Sequence, residues 1–178
     1  MVANSYFNLS GAPSITGTEV SLSSSSYLTV TNGIPNSVKP ATYAGISPNK
    51  AFTLGPSEPD IDDCFIVSPF DPSVPLDTRS SPLNTLVSAY HPDTKIHLEV
   101  LSTEPAFQFY TGKYIDVPEI KGDDGKIVAP ARGARSGFCV EPSRYVNAIN
   151  VPEWKDQVLL KKGEVYGSRI VYKGWDDE

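Results

Sequence analysis

The sequence is poor in the residues that most often carry chemistry. Of 178 residues, two are histidine and two are cysteine. No Cys/His cluster has the spacing of a zinc site. A Ser-His-Asp triad has only His91 and His97 to draw on, and both read as ordinary turn and strand residues. Cys64 and Cys139 each lie in an apolar stretch, Cys64-Phe65-Ile66-Val67 and Gly137-Phe138-Cys139-Val140, the setting of buried free thiols. Spacing alone leaves a disulfide between them open. Long apolar runs are missing too, and none approaches the roughly 18 residues of a bilayer span. The first residues, Met1-Val2-Ala3-Asn4-Ser5, have neither the basic nor the apolar part of a secretory signal. A cytoplasmic location is therefore expected, and the glycosylation sequon Asn8-Leu9-Ser10 carries little weight. Positive charge is also short. Fifteen Lys and Arg stand against 21 Asp and Glu, a formal net charge of −6. That balance argues against a nucleic-acid partner, which needs a cationic surface.

What is present has the period of strands. Hydrophobic residues make up 39% and charged residues 20%, the balance of one folded domain rather than a disordered chain. Glu19 to Leu22 and Tyr27 to Val30 read as strands, with Asn32-Gly33 as a turn. From Ile34 to Pro59 the chain is rich in Pro, Ser and Asn and reads as loop with at most one short strand. Cys64 to Val67 reads as a buried strand and Pro69 to Pro82 as a surface loop. Asn84 to Tyr90 and Lys95 to Leu101 alternate around His91-Pro92-Asp93-Thr94, the clearest hairpin. Ala106 to Tyr110 is a further strand. Gln157 to Leu160 and Glu164 to Tyr172 suggest a last hairpin around Lys161-Lys162-Gly163. No segment holds a helical apolar pattern for three turns. The fold class predicted is all-β, a sandwich.

Three clusters are richer than plain strands require. They are Asn4 to Gly11, Thr103 to Gly112, and Gly137 to Tyr145. In the last, Glu141 follows an apolar strand run and precedes a proline. A carboxylate there is partly desolvated, which raises its pKa toward the range of a general base. A strand-end Glu is more often simply a surface charge. Gln108 alternates with Phe107 and Phe109, so its amide can meet a sugar hydroxyl beside aromatic faces; the plain alternative is a solvent-side alternation residue. Asp60 reads as part of a solvated acidic loop. Arg132 and Arg135 beside Gly133 read as loop residues rather than an anion site.

As a set, these clusters resemble the C-terminal half of galactose mutarotases, the aldose 1-epimerase family, with greatest similarity to the fungal type. Three stretches carry the resemblance: Asn4-Ser5-Tyr6-Phe7-Asn8-Leu9-Ser10-Gly11, His91-Pro92-Asp93 with Leu98 through Gly112, and Gly137-Phe138-Cys139-Val140-Glu141-Pro142-Ser143-Arg144-Tyr145. Asp62-Asp63-Cys64-Phe65 matches a fourth, weaker element. The resemblance implies a galactose-mutarotase-like β-sandwich over residues 1–178, N-terminally truncated, with a sugar cleft and no cofactor or metal. It implies Glu141 as general base and Asp62 and Gln108 as sugar-binding residues. The expected substrate is a hexose, galactose or glucose, whose α and β anomers interconvert by acid–base ring opening.

Two departures from the family pattern bear on activity, a missing histidine and the missing N-terminal half of the family domain. The family pattern places a His, its general acid, directly after the Asn of the first element, and here Asn4 is followed by Ser5. A non-catalytic sugar-binding domain is one alternative this raises. A hexose-6-phosphate 1-epimerase is another, with Arg132, Arg135 and Arg144 to pair the phosphate. Half a sandwich would also leave sheet edges unpaired and inner faces open. Self-association through Cys64 to Val67, Leu98 to Leu101 and Val158 to Leu160 is the expected result.

Overall fold

A computed structural model describes residues 4–31, 34–35 and 40–177. In chain order the strands are β1 (Tyr6–Phe7), β2 (Glu19–Leu22), β3 (Ser26–Tyr27), β4 (Val30–Thr31), β5 (Ile34–Pro35), β6 (Ala41–Thr42), β7 (Phe52–Thr53) and β8 (Asp62–Ile66). They continue as β9 (Asn84–His91), β10 (Ile96–Ser102), β11 (Ala106–Tyr110), β12 (Ile120–Lys121), β13 (Ile127–Ala129), β14 (Phe138–Ser143) and β15 (Ile170–Asp176). The only helical pieces among the described residues are two 3₁₀ turns, Ala148–Asn150 and Lys155–Gln157.

Two sheets carry the fold. One has six strands in the order β1-β14-β11-β8-β3-β6, the other five in the order β15-β10-β9-β2-β7. All pairings within them are antiparallel. Side chains alternate across each strand, so each sheet has one face for the partner sheet and one for other uses. Phe65, Phe107, Phe109, Phe138 and Val140 of the first sheet pack in one core with Val20, Leu22, Val87, Leu98 and Val100 of the second. Phe65 and Phe107 sit opposite each other in register, with ring centroids 5.6 Å apart. The β9–β10 register shifts between Val100 and Leu101. A bulge of this kind lets Leu86 and Val87, neighbours in sequence, both be buried.

The other face of the six-stranded sheet is not uniformly wet. At one end Cys64, Ile66 and Ala106 lie with Leu28 in a second, smaller cluster with Tyr145, Ala148 and Trp154. Both cysteines are free and buried.

Several expectations change. The last hairpin does not form. Lys155–Gln157 is a 3₁₀ turn, residues 158–160 are not strand, and β15 pairs with β10 along its full length. The later segment pairs with β10 instead of with residues 157–160, so the hairpin between the two has no partner strand on its first side. The Ile34 to Pro59 stretch holds three two-residue strands rather than at most one. Asn32-Gly33 lies outside the described residues. Two of the three strips expected to be exposed are closed, Phe65, Leu98 and Val100 by the packing of the two sheets and Cys64 and Ile66 by the smaller cluster with Tyr145 and Trp154; Val158 and Leu160 are exposed.

Candidate functional site

The site follows from strand register. Gln108 on β11 faces Glu141 on β14 and Cys64 on β8. One step toward the far end of β11, Tyr110 faces Cys139 and Asp62, and Cys139 in turn faces Tyr6 on β1. One step the other way, Ala106 faces Ser143 and Ile66. All of these side chains are out of phase with the core residues Phe65, Phe107, Phe109, Phe138 and Val140. They share the sheet face turned away from the partner sheet. Three levels result: Asp62, Tyr110, Cys139 and Tyr6 at one end, Gln108 and Glu141 in the middle, and Ser143 in apolar surroundings at the other.

The three residues singled out in the sequence are therefore brought together. Gln108 Nε2 donates to Asp62 Oδ1 at 2.8 Å, a bond that fixes the amide on one side and leaves its carbonyl oxygen free to accept. Glu141 is half-buried. Burial pushes its carboxyl above the ordinary carboxylate range; a hydrogen bond with the Cys139 thiol acts the other way, and the Asp62 charge adds to the rise. Burial pushes the Cys139 thiol up to about 12, with the Glu141 charge next in weight. At that value the sulfur stays protonated, and its single S–H has two acceptors in reach, Asn4 Oδ1 at 3.1 Å and the Glu141 carboxylate. The rings of Tyr6 and Tyr110 meet edge to face at 6.3 Å, and Tyr110 Oη accepts from Tyr114 N at 2.6 Å. Among the described residues no group of three or more His, Cys, Asp or Glu is placed to hold a metal ion.

Chemically, this is a carboxylate whose basicity is raised by burial, beside a fixed amide–carboxylate pair and two aromatic rings. A base of this kind takes a proton from a hydroxyl. Such a pair can orient further hydroxyls, and two rings of this kind can cover an apolar ligand face. Single-residue reasoning missed Tyr6, Tyr110, Cys139 and Asn4. Their signal is the period of two, since residues 108 and 110, and 139 and 141, must share a face.

The arginines are placed differently from expectation. Arg135 is buried, not in a solvated loop. Its guanidinium donates to the carbonyls of Gly55 at 2.8 and 3.1 Å and of Pro59 at 3.1 Å, fastening the loop before β8. Arg144 Nε lies 3.0 Å from Glu104 Oε2 in a buried ion pair, and its Nη2 donates to the carbonyls of Pro75 and Leu76. Asp60 is paired with Lys113. His91 is buried against Thr16, and His97 stacks on Trp175 with its Nε2 3.1 Å from Asp177. Neither histidine reaches the Glu141 face.

The family model described as aldose 1-epimerase matches residues 3–173. The chain is 36% identical over 173 residues to the Bifunctional protein GAL10 of Kluyveromyces lactis, covering 95% of this chain and 23% of that protein. It is 39% identical to an uncharacterized isomerase of Saccharomyces cerevisiae, covering 97% of this chain and 49% of the other. It is 31% identical to the galactose mutarotase of Homo sapiens, at 96% and 48% coverage. The chain thus spans about half, or in the bifunctional protein about a quarter, of the curated relatives it matches. A GalM/aldose epimerase homologue from C. elegans has the same fold, with a TM-score of 0.70 at 17% identity over 99% of this chain and 51% of that one. On the match over residues 3–173, this chain belongs to the aldose 1-epimerase family, a family of isomerases.

Proposed function

We propose that this chain is a cytoplasmic protein that binds a free hexose, galactose or glucose, on the Glu141 face and promotes interconversion of its anomers. The observation that carries this reading is the alignment of Glu141, Gln108 and Asp62 on three adjacent strands, with the Glu141 carboxyl raised by burial. Glu141 takes the proton of the anomeric hydroxyl. The electron pair left on that oxygen forms the C1=O double bond, and the C1–O5 bond breaks. O5 takes up a proton. Rotation about C1–C2 presents the other face of the aldehyde; the 5-hydroxyl gives its proton back to the acid that supplied it as O5 adds to C1, and Glu141 returns its proton to the former carbonyl oxygen. Gln108 and Asp62 hold ring hydroxyls so that C1 stays over the base.

The position after Asn4 is Ser5, so the proton for O5 comes from solvent or from a group other than a histidine at that place. Absence of a positioned acid costs about 10²–10⁴ in rate. This supports a second reading, a sugar-binding domain with little or no turnover. A phosphorylated hexose is disfavoured, because Arg135 and Arg144 already spend their guanidinium groups on backbone carbonyls and on Glu104. Titration calorimetry with galactose tests the binding step. Gln108→Ala removes the hydroxyl-orienting amide and should weaken affinity several-fold, the worth of about one hydrogen bond. Unchanged affinity would place the sugar elsewhere.

A further inference from the structure

The strand that carries Glu141 is held unequally along its length. β1 pairs with β14 only at Phe138 and Cys139, so among the described residues β14 has β11 as its one neighbour from Val140 onward. Pro142 lies in that run and has no N–H to give to a partner. What closes the ladder just beyond it is charge. Glu104 stands two residues before β11, and Arg144 directly follows β14. Their side chains, 0% and 7% exposed, meet with Arg144 Nε 3.0 Å from Glu104 Oε2. Tyr166 Oη donates to Glu104 Oε1, and Arg144 Nη2 donates to the carbonyls of Pro75 and Leu76. The same corner reaches β8, since Val67 and Ser68, the residues that follow it, both donate their N–H to the Pro105 carbonyl. Two charges taken from water cost much of what their attraction returns. A buried pair of this kind therefore adds little to stability, and its best-attested use is to fix register.

We infer that Glu104, Arg144 and Tyr166 are positioning residues, which lock the ends of β11 and β14 together so that the Gln108 amide and the Glu141 carboxylate stand at a fixed spacing under the hexose. The inference rests on the hexose site proposed above. Glu104 and Arg144 lie beyond the last rung of the ladder, Ala106 against Ser143, and act through the strands rather than on the sugar. The path is short: Gln108 is four residues from Glu104, and Glu141 is three from Arg144. Misplacement of a reacting group by about 1 Å costs on the order of 10²-fold in rate. A clamp outside the cleft therefore bears on the chemistry within it.

NMR of the side-chain carboxyls and amides in the full chain, with a galactose titration beside it, tests this. The triple variant Glu104→Leu/Arg144→Met/Tyr166→Phe replaces every member of the network at once, so none is left buried and unpaired. Its urea midpoint is expected to stay near that of the parent. Its Glu141 carboxyl is expected to titrate lower, nearer the ordinary carboxylate range, because a looser rung admits water. The Gln108 side-chain amide resonances should shift, and galactose should bind about three- to tenfold more weakly, the worth of about one net hydrogen bond. Tyr166→Phe removes a single hydrogen bond from the network. It should move both signals the same way by less, and it decides the matter if the triple variant does not fold. Parent-like Glu141 titration and Gln108 resonances in either folded variant would overturn the inference. They would do so even with a fall in stability, since the network would then be a prop for the fold alone. A parent chain that binds no galactose would overturn the hexose site, while the carboxyl titration would still decide the clamp.

Discussion

Glu141 is the residue on which the site turns, and its chemistry is set by where β14 puts it. Three of its neighbours on the face, Asp62, Gln108 and Cys139, bear on it differently: one charge, one amide and one thiol that stays protonated. A carboxyl raised in the folded state is favoured in its protonated form. Its contribution to stability is therefore full below the unfolded value of about 4.3 and is lost as pH rises through the higher folded value. Glu141→Gln removes that titration. Urea unfolding should show a smaller loss of stability between pH 4 and pH 7 in the variant than in the parent protein. An identical pH dependence in both would mean that burial does not perturb this carboxyl. The same rise implies that any turnover grows with pH through the folded value, because only the ionised form accepts a proton.

The elements that position these groups are β8, β11 and β14, and their ends are fixed by close backbone approach. Gly112, just past β11, has a φ of +79°, and a Cβ there would lie 2.2 Å from the carbonyl oxygen of Gly137, just before β14. Only glycine tolerates both the left-handed conformation and the contact. Gly112→Ala should cost about 2–4 kcal/mol and loosen the register that sets Gln108 against Glu141; urea midpoints measure it, and a loss under about 0.5 kcal/mol would contradict the packing. The sequence made much of this legible. The β9–β10 hairpin, β11, and the strands before Glu141 and around Cys64 announce themselves by alternation and turn chemistry. The end of the chain did not. Val158 and Leu160 alternate like a strand, yet strands are defined by partners, and local pattern carries no information about which edge is free. Arg135 misled in a similar way. Beside glycines it reads as surface, whereas its guanidinium is used to satisfy three carbonyl contacts from a distant loop. The candidate residues Glu141, Gln108 and Asp62 were legible through resemblance to a family. Their meeting on one face was implicit in the period of two.

For the whole molecule, the two sheets close over one core, so the inner faces do not supply a surface for association. Exposed apolar side chains concentrate instead on the β12–β13 hairpin and the segment leading to it: Tyr114, Val117, Ile120, Ile127 and Val128. Two-residue β1 and seven-residue β15 also present unpaired edges. Edges and apolar patches recruit other chains. Sedimentation velocity over a concentration series should therefore show reversible association, reduced in the double variant Ile127→Lys/Val128→Lys. A monomer at every concentration, or association untouched by the double variant, would contradict this.

The central claim is that Glu141 acts as a base on the anomeric hydroxyl of a hexose. Polarimetry of freshly dissolved α-galactose tests it most directly, with the chain, with its Glu141→Gln variant and with buffer alone. The account predicts approach to equilibrium faster than buffer with the parent chain, and a rate at the buffer level with the variant, whose amide keeps the shape of the side chain and removes its basicity. Turnover by the variant equal to that of the parent would contradict the assignment, and a parent chain no faster than buffer would leave the face as a binding surface alone.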